Sequence, residues 1–291
     1  MKTKAILLNG KTIFTKSLIF IGCSRDKVDI VNQVVHQLDQ LETVKHEAVF
    51  MSFDHSGTAL WNDKSTVYFD LREKEKSNLQ YYITRRDGIS IYNGTESIYV
   101  DDINKAVIIN DIEVFSPYSP IMFSLPTLKG VLPVLLDDKE VRLYEKPDTI
   151  IDGREGLSFL FVLEEGYIDW ENQRIVRDFI DGKPVDTKLS VTVDAQTYLP
   201  ILIVNENINQ SVIYRVNEID TSHEEADDKL WKKSNYAEGY TVQTSTESRK
   251  IEEDKLTEAI GKTIDEWTLP RLSNDSLVST PKWVGNVVLL E

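Results

Sequence analysis

Between Asp26 and Leu41, Val28, Val31, Val34, Val35, Leu38 and Leu41 recur at three- and four-residue intervals, with Asp29, Asn32, Gln33 and Gln37 between them. That spacing predicts one amphipathic helix with a single face to bury. Ser24 or Asp26 could cap its start. From Lys45 to Asn110 the period drops to two. Val67, Phe69 and Leu71 alternate with Tyr68, Asp70 and Arg72, while Leu79, Tyr81 and Ile83 alternate with Gln80, Tyr82 and Thr84. Asp87-Gly88 and Asn93-Gly94 then separate short apolar runs, as tight hairpin turns require. The stretch reads as an antiparallel meander with one dry face.

A different texture interrupts at Phe115. Four prolines (Pro117, Pro120, Pro126 and Pro133) stand among Met122, Phe123, Leu125, Leu128, Val131, Leu132, Leu135 and Leu136. Prolines at those intervals exclude a central strand and predict short helices with proline in their first turns. An apolar helical insert between two halves of a sheet is suited to act as a plug or lid. Strands resume at GLSFLFVLEE, which carries Phe159 and Phe161, and continue through NQRIVRDFID, KLSVTVDAQ, LPILIVNEN and SVIYRVNEID. About nine to eleven strands are expected in all, enough for a strongly curved sheet or half-barrel. After Asp220 the chain becomes charged and aperiodic, and 221–257 reads as a linker with loose contacts from Trp231 and Tyr236.

Composition narrows the function classes. The net charge of −15 repels phosphate backbones, and no basic stripe interleaved with aromatics offsets it, so nucleic acid is not an expected partner. One cysteine, Cys23, excludes an internal disulfide, a Cys-x-x-Cys pair and a cysteine-rich zinc site. The four histidines show no metal-ligand spacing, and no P-loop, dinucleotide or nucleophile-elbow motif occurs, so neither a metal nor a cofactor is expected. Asp87, Asp101, Asp102 and Asp111 fall at turns or strand ends, where aspartate serves the backbone. The basic start at Lys2 and Lys4, and Leu18 to Gly22 ahead of Cys23, resemble a bacterial lipoprotein signal, with Cys23 as the lipidation candidate. Asn9, Gly10, Lys11 and Lys16 interrupt its apolar stretch.

Two longer resemblances follow from these elements. The helix, meander, proline-rich insert and further strands of 26–220, with the phrase VDAQTYLPI at 193–201 bearing Asp194, Thr197, Tyr198, Leu199 and Pro200, resemble the periplasmic lipoprotein-carrier fold. That resemblance implies a half-open barrel around an apolar cavity for acyl chains. Its inward candidates here are Val67, Phe69, Leu71, Leu79, Tyr81, Ile83, Phe123, Leu128, Phe159 and Phe161. The second stretch, 258–291, with Gly261, Lys262, Trp267, Leu269, Pro270, Gly285 and the run Val287 to Leu290, resembles the opening of a thioredoxin-like domain. In that family a short hairpin and a central strand precede the catalytic Cys-x-x-Cys, so the chain is expected to be truncated.

The expected fold is therefore mainly β (α+β): a curved antiparallel sheet or half-barrel with an N-terminal helix and a helical insert, then a truncated thioredoxin-like segment. The organisation is 1–25 as signal region, 26–220 as carrier-like domain, 221–257 as linker and 258–291 as thioredoxin-like start. The expected function is the non-catalytic part of a cell-envelope thiol–disulfide oxidoreductase, inactive itself, with no catalytic residue in this chain. The alternative is an acyl-chain carrier with no redox role. The partners expected are an apolar ligand or another envelope protein, in the periplasm or cell envelope, with membrane contact through a lipid on Cys23.

Overall fold

A computed structural model describes residues 27–72, 79–112, 116–177, 185–222, 226–259, 268–270 and 277–279. Helix α1 (Lys27–Asp39) follows the valine stripe, burying Ile30, Val31, Val34 and Leu38. Two long strands, β1 (Thr43–Asp54) and β2 (Ala59–Asp70), lead into the short meander β3 (Gln80–Thr84), β4 (Gly88–Tyr92), β5 (Ser97–Asp101) and β6 (Ala106–Ile109). A 3-10 turn at Ser119–Ile121 and helix α2 (Leu125–Asp137) form the insert. Pro126 sits in the first turn of α2, as its missing N–H allows, whereas Pro133 lies inside the helix rather than at its start.

The second half supplies β7 (Arg142–Ile151), β8 (Arg154–Leu163), β9 (Tyr167–Asp169), β10 (Arg174–Val176), β11 (Thr187–Asp194), β12 (Pro200–Asn207) and β13 (Gln210–Asp220). After these come β14 (Thr241–Thr244), α3 (Ser245–Ala259), β15 (Thr268–Pro270) and β16 (Leu277–Ser279). Twelve strands form one open, curved sheet in the order β14-β6-β5-β4-β3-β2-β1-β13-β12-β11-β8-β7. Strands β9 and β10 pair separately, as do β15 and β16. The two halves of the sequence thus meet where β1 pairs β13, Phe50 opposite Tyr214.

The inner face is set by register. Phe159, Val191, Ile203, Tyr214, Phe50 and Asp63 form one cross-strand row, each residue directly opposite the next. Helices α1 and α2 lie against each other in the concavity and share one core with Phe69, Phe159, Phe161, Leu163, Leu189 and Val191. Lys129 of α2 reaches Asp39 at the end of α1, 3.3 Å away.

Several expectations are corrected in detail. Edge strand β7 does not follow the apolar alternation that marked the other strands, because it is exposed along most of its length. Pro147 falls in its register break between Lys146 and Thr149, the position an edge strand tolerates. Part of the expected linker joins the sheet, where β14 pairs with β6 in parallel, so the sheet is not wholly antiparallel. Leu230–Tyr240 is also less loose than expected: Trp231, Tyr236 and Tyr240 cover the outer-face cluster of Ile91, Ile98, Val100 and Val107. The Asn93-Gly94 turn forms as expected, with Gly94 at φ 93° and Asn93 Oδ1 accepting from the Thr95 and Glu96 amides. Gly88 instead opens β4, where a Cβ would lie 2.0 Å from the Val100 carbonyl oxygen. Cys23 and the expected strand at 286–290 lie outside the described residues. Among those that are described, 258–291 contributes the end of α3 and the hairpin of β15 and β16.

Candidate ligand cavity

The concave face is not filled evenly. Between β1–β5 and the insert lies a cavity of about 480 Å³. Its floor is Phe50 from β1, Ser65, Val67 and Phe69 from β2, Ile83 from β3 and Tyr214 from β13. Its cover is the run from Ser119 to Ser124, ahead of α2.

Of the ten inward candidates, Val67, Phe69, Ile83 and Phe123 line this space. Leu71 and Leu79 line a smaller cavity of about 200 Å³ with Pro126 and Lys129. Tyr81, Leu128, Phe159 and Phe161 belong to the packed core, and Phe159 and Phe161 meet edge to face at 5.7 Å. Sequence alternation marks which residues face inward, but whether an inward position meets protein or space depends on what lies above it.

Phe123 holds the cover in place. Its backbone sits at φ 68°, a conformation costing on the order of 1–3 kcal/mol for a residue with a Cβ. The reversal lets the Ser124 amide donate to the Ile121 carbonyl and turns the chain into α2. The Phe123 ring packs on Trp170 at 4.7 Å and faces Phe50 at 6.2 Å. These contacts stabilise the strained turn and span the cavity's apolar roof and floor.

Several buried polar atoms at this face lack a partner among the described residues, Ser124 Oγ and His46 Nδ1 among them. Ser124 Oγ lines the cavity without a hydrogen bond. His46 Nε2 lies 2.9 Å from the Tyr214 hydroxyl, while its Nδ1 has no partner. Burial pushes the His46 pKa down to about 3, so the ring is neutral at ordinary pH. The same burial raises that of Tyr214.

One end of the cavity is polar. Asp63 pairs with Arg85 Nε at 3.2 Å, and Arg85 Nη1 donates to Ser90 Oγ at 2.8 Å. Asp87 and Tyr99 complete this end, beside the exposed indole of Trp61. Burial raises the pKa of Asp63, Arg85 opposes that shift, and the negative charge of Asp87 adds to it. The Tyr99 phenol is pushed up to about 12, first by burial and then by Asp87 and Asp101. Neither Asp63 nor Arg85 figured among the expected inward residues. The signal was phase: Asp63 and Ser65 occupy the same face of β2 as Val67 and Phe69.

No family model matches the chain, and no curated protein matches it. Solved structures do. Lipoprotein LppX of Mycobacterium tuberculosis aligns over 69% of this chain and 98% of its own at 9% identity, with a TM-score of 0.36. LprF of Mycobacterium bovis aligns over 69% and 96% at 10% identity, TM-score 0.34. A LolA superfamily protein of Nitrosomonas europaea aligns over 72% and 98% at 7% identity, TM-score 0.29. At these values the likeness is confined to the general arrangement of the chain and says nothing of ligand or activity.

The redox expectation does not stand against these findings. The structures named above are a lipoprotein, LprF and a LolA superfamily protein rather than thiol–disulfide oxidoreductases. Among the described residues, 258–291 shows only a helix end and a hairpin of three-residue strands.

Proposed function

We propose that this protein is a non-enzymatic carrier that holds an aliphatic chain in the cavity between β1–β5 and the 119–124 cover. One observation carries the reading: an apolar-walled space of about 480 Å³ beside the packed core. Ligand sites usually measure about 300–1,000 Å³ and combine apolar walls with a few polar groups, as this one does. A pure scaffold would close such a space with its own side chains. The site of action is the periplasm or cell envelope, with Cys23 as a lipid anchor. That part is supported by the lipoprotein-like run at 18–23, by the carrier-like element order and by the lipoprotein name of one structural neighbour. No helix of the described residues is long and apolar enough to cross a membrane.

The test is displacement of a fluorescent fatty-acid analogue from the full chain and from a Val67→Phe variant, whose ring would occupy the cavity. The carrier reading requires saturable binding to the parent protein and its loss in the folded variant. Failure of the parent protein to bind would overturn it.

A further inference from the structure

Along the inner face of β2 the side chains run Asp63, Ser65, Val67, Phe69, all four on the cavity wall. Residues two apart in a strand are about 6.6–6.8 Å apart, so polarity falls from charged to apolar over about 20 Å. β3 repeats the order in antiparallel register. Ile83 stands opposite Val67, and Arg85 lies beyond it toward the Asp63 end. The cavity thus has a charged end and an oily end, which is the shape of an amphiphile rather than of a plain hydrocarbon.

The charge at the polar end is unbalanced. Asp63, Asp87 and Arg85 line this end together: the guanidinium contacts Asp63 and Ser90, and the Tyr99 phenol is hydrogen-bonded to Asp87. Among the described residues, the other cations nearby are engaged or face elsewhere. Lys64 points to the opposite face and pairs with Glu47 at 2.7 Å. Lys105 donates to the Tyr240 hydroxyl, which in turn donates to Asp102, and Arg86 is exposed on the turn. Asp101 is occupied by the amides of Ile103 and Asn104. An anionic headgroup would have to take Arg85 from Asp63 and leave a half-buried carboxylate unpaired, which is costly. A cation would instead supply the missing counter-charge, with the Trp61 indole at the rim as a face to lie on.

Resting on the carrier reading, we infer that the cavity selects an amphiphile with a positively charged amine or quaternary ammonium headgroup. Its aliphatic chain lies on Val67, Phe69 and Ile83, and its charge lies beside Asp63 and Asp87. Ser124 Oγ, buried and without a partner, offers a hydrogen bond to a polar atom within the ligand.

The experiment is titration calorimetry of the full chain with decyltrimethylammonium, 1-decanol and decanoate, each below its micelle concentration. The cationic probe is expected to bind at least about fivefold more tightly than decanol, with decanoate weakest. In Asp87→Asn, checked for folding by circular dichroism, the cation-to-alcohol ratio should fall below about twofold. In the parent protein the same ratio should shrink as sodium chloride is raised. Equal binding of the three probes, tightest binding of decanoate, or a preference that survives both Asp87→Asn and Asp63→Asn would overturn the headgroup assignment and leave the carrier standing. If decanol itself fails to bind, the carrier reading falls and this one with it.

Discussion

The two halves of the concave face are built from the same alternating strands yet reach opposite ends. Around β8, β11 and β12, Leu128, Leu132 and Leu135 of α2 share one core with Phe159, Phe161, Leu189 and Val191, and every one of these is almost wholly buried. Under β2–β5 the chain above is the short run from Ser119 to Ser124, and a cavity remains. A helix offers a continuous apolar stripe that fills the space beneath it, whereas a 3-10 turn followed by a left-handed residue cannot. The hollow therefore comes from the cover rather than from the strands.

The sharpest way to break this contrast is to truncate equivalent rings in the two halves. Phe161→Ala should cost about 3–5 kcal/mol in denaturant unfolding, because the packed half leaves a new cavity. Phe50→Ala, at a wall that already faces space, should cost only about 1–2 kcal/mol. Equal losses would mean that the cavity is filled by side-chain rearrangement in solution.

Acid should act through the seam between the halves. His46 is held neutral by burial, with its folded pKa near 3, below the ordinary 6.5. The unfolded chain therefore binds a proton that the folded one refuses. Its contribution is fully present above about pH 6.5 and is lost as pH falls toward 3, at up to about 1.4 kcal/mol per pH unit. His46→Gln should flatten this slope in denaturant titrations across that range. An unchanged slope would show that the carboxylates alone carry the acid sensitivity.

Adding volume probes the same contrast with smaller effects. Val191→Phe should cost about 1–3 kcal/mol by overpacking, while Val67→Phe, beside the cavity, should cost less than about 1 kcal/mol and abolish ligand uptake. The outer face should also respond weakly. Trp231→Ala should raise amide exchange in β6 and β14 with a global loss of about 1 kcal/mol, since the indole is only partly buried there. Lys64→Gln, which removes an exposed ion pair, should shift stability by no more than about 0.5 kcal/mol.

Much of this architecture was legible in the residues. The valine stripe of α1, the period-two runs of β2, β3, β8, β11 and β12, and the proline-rich insert all appear where the pattern puts them. Strand β7 was not legible, because an exposed edge strand has no buried side to enforce alternation. Strand β14 was hidden for a related reason: four residues gain their structure from β6, a partner more than a hundred positions away. The redox resemblance rested on one phrase at 258–291, of which only the end of α3 and the hairpin of β15 and β16 are described. The candidate site was half legible. Apolar phase found Val67, Phe69 and Ile83, but a hydrophobic criterion passes over Asp63 and Arg85 on the same wall.

By itself, the sequence determined which side of each strand is dry, where the helices interrupt the sheet, and that the chain carries strong negative charge. These are local properties, fixed by side-chain period and by what proline and glycine permit the backbone to do. Only the tertiary structure decided that β1 and β13 join the two halves, that Phe161 meets protein while Val67 meets space, and that Asp63, Arg85 and Asp87 converge at one end of that space. A cavity is a relation between surfaces far apart in the chain, and no period within one segment records what the other surface leaves empty.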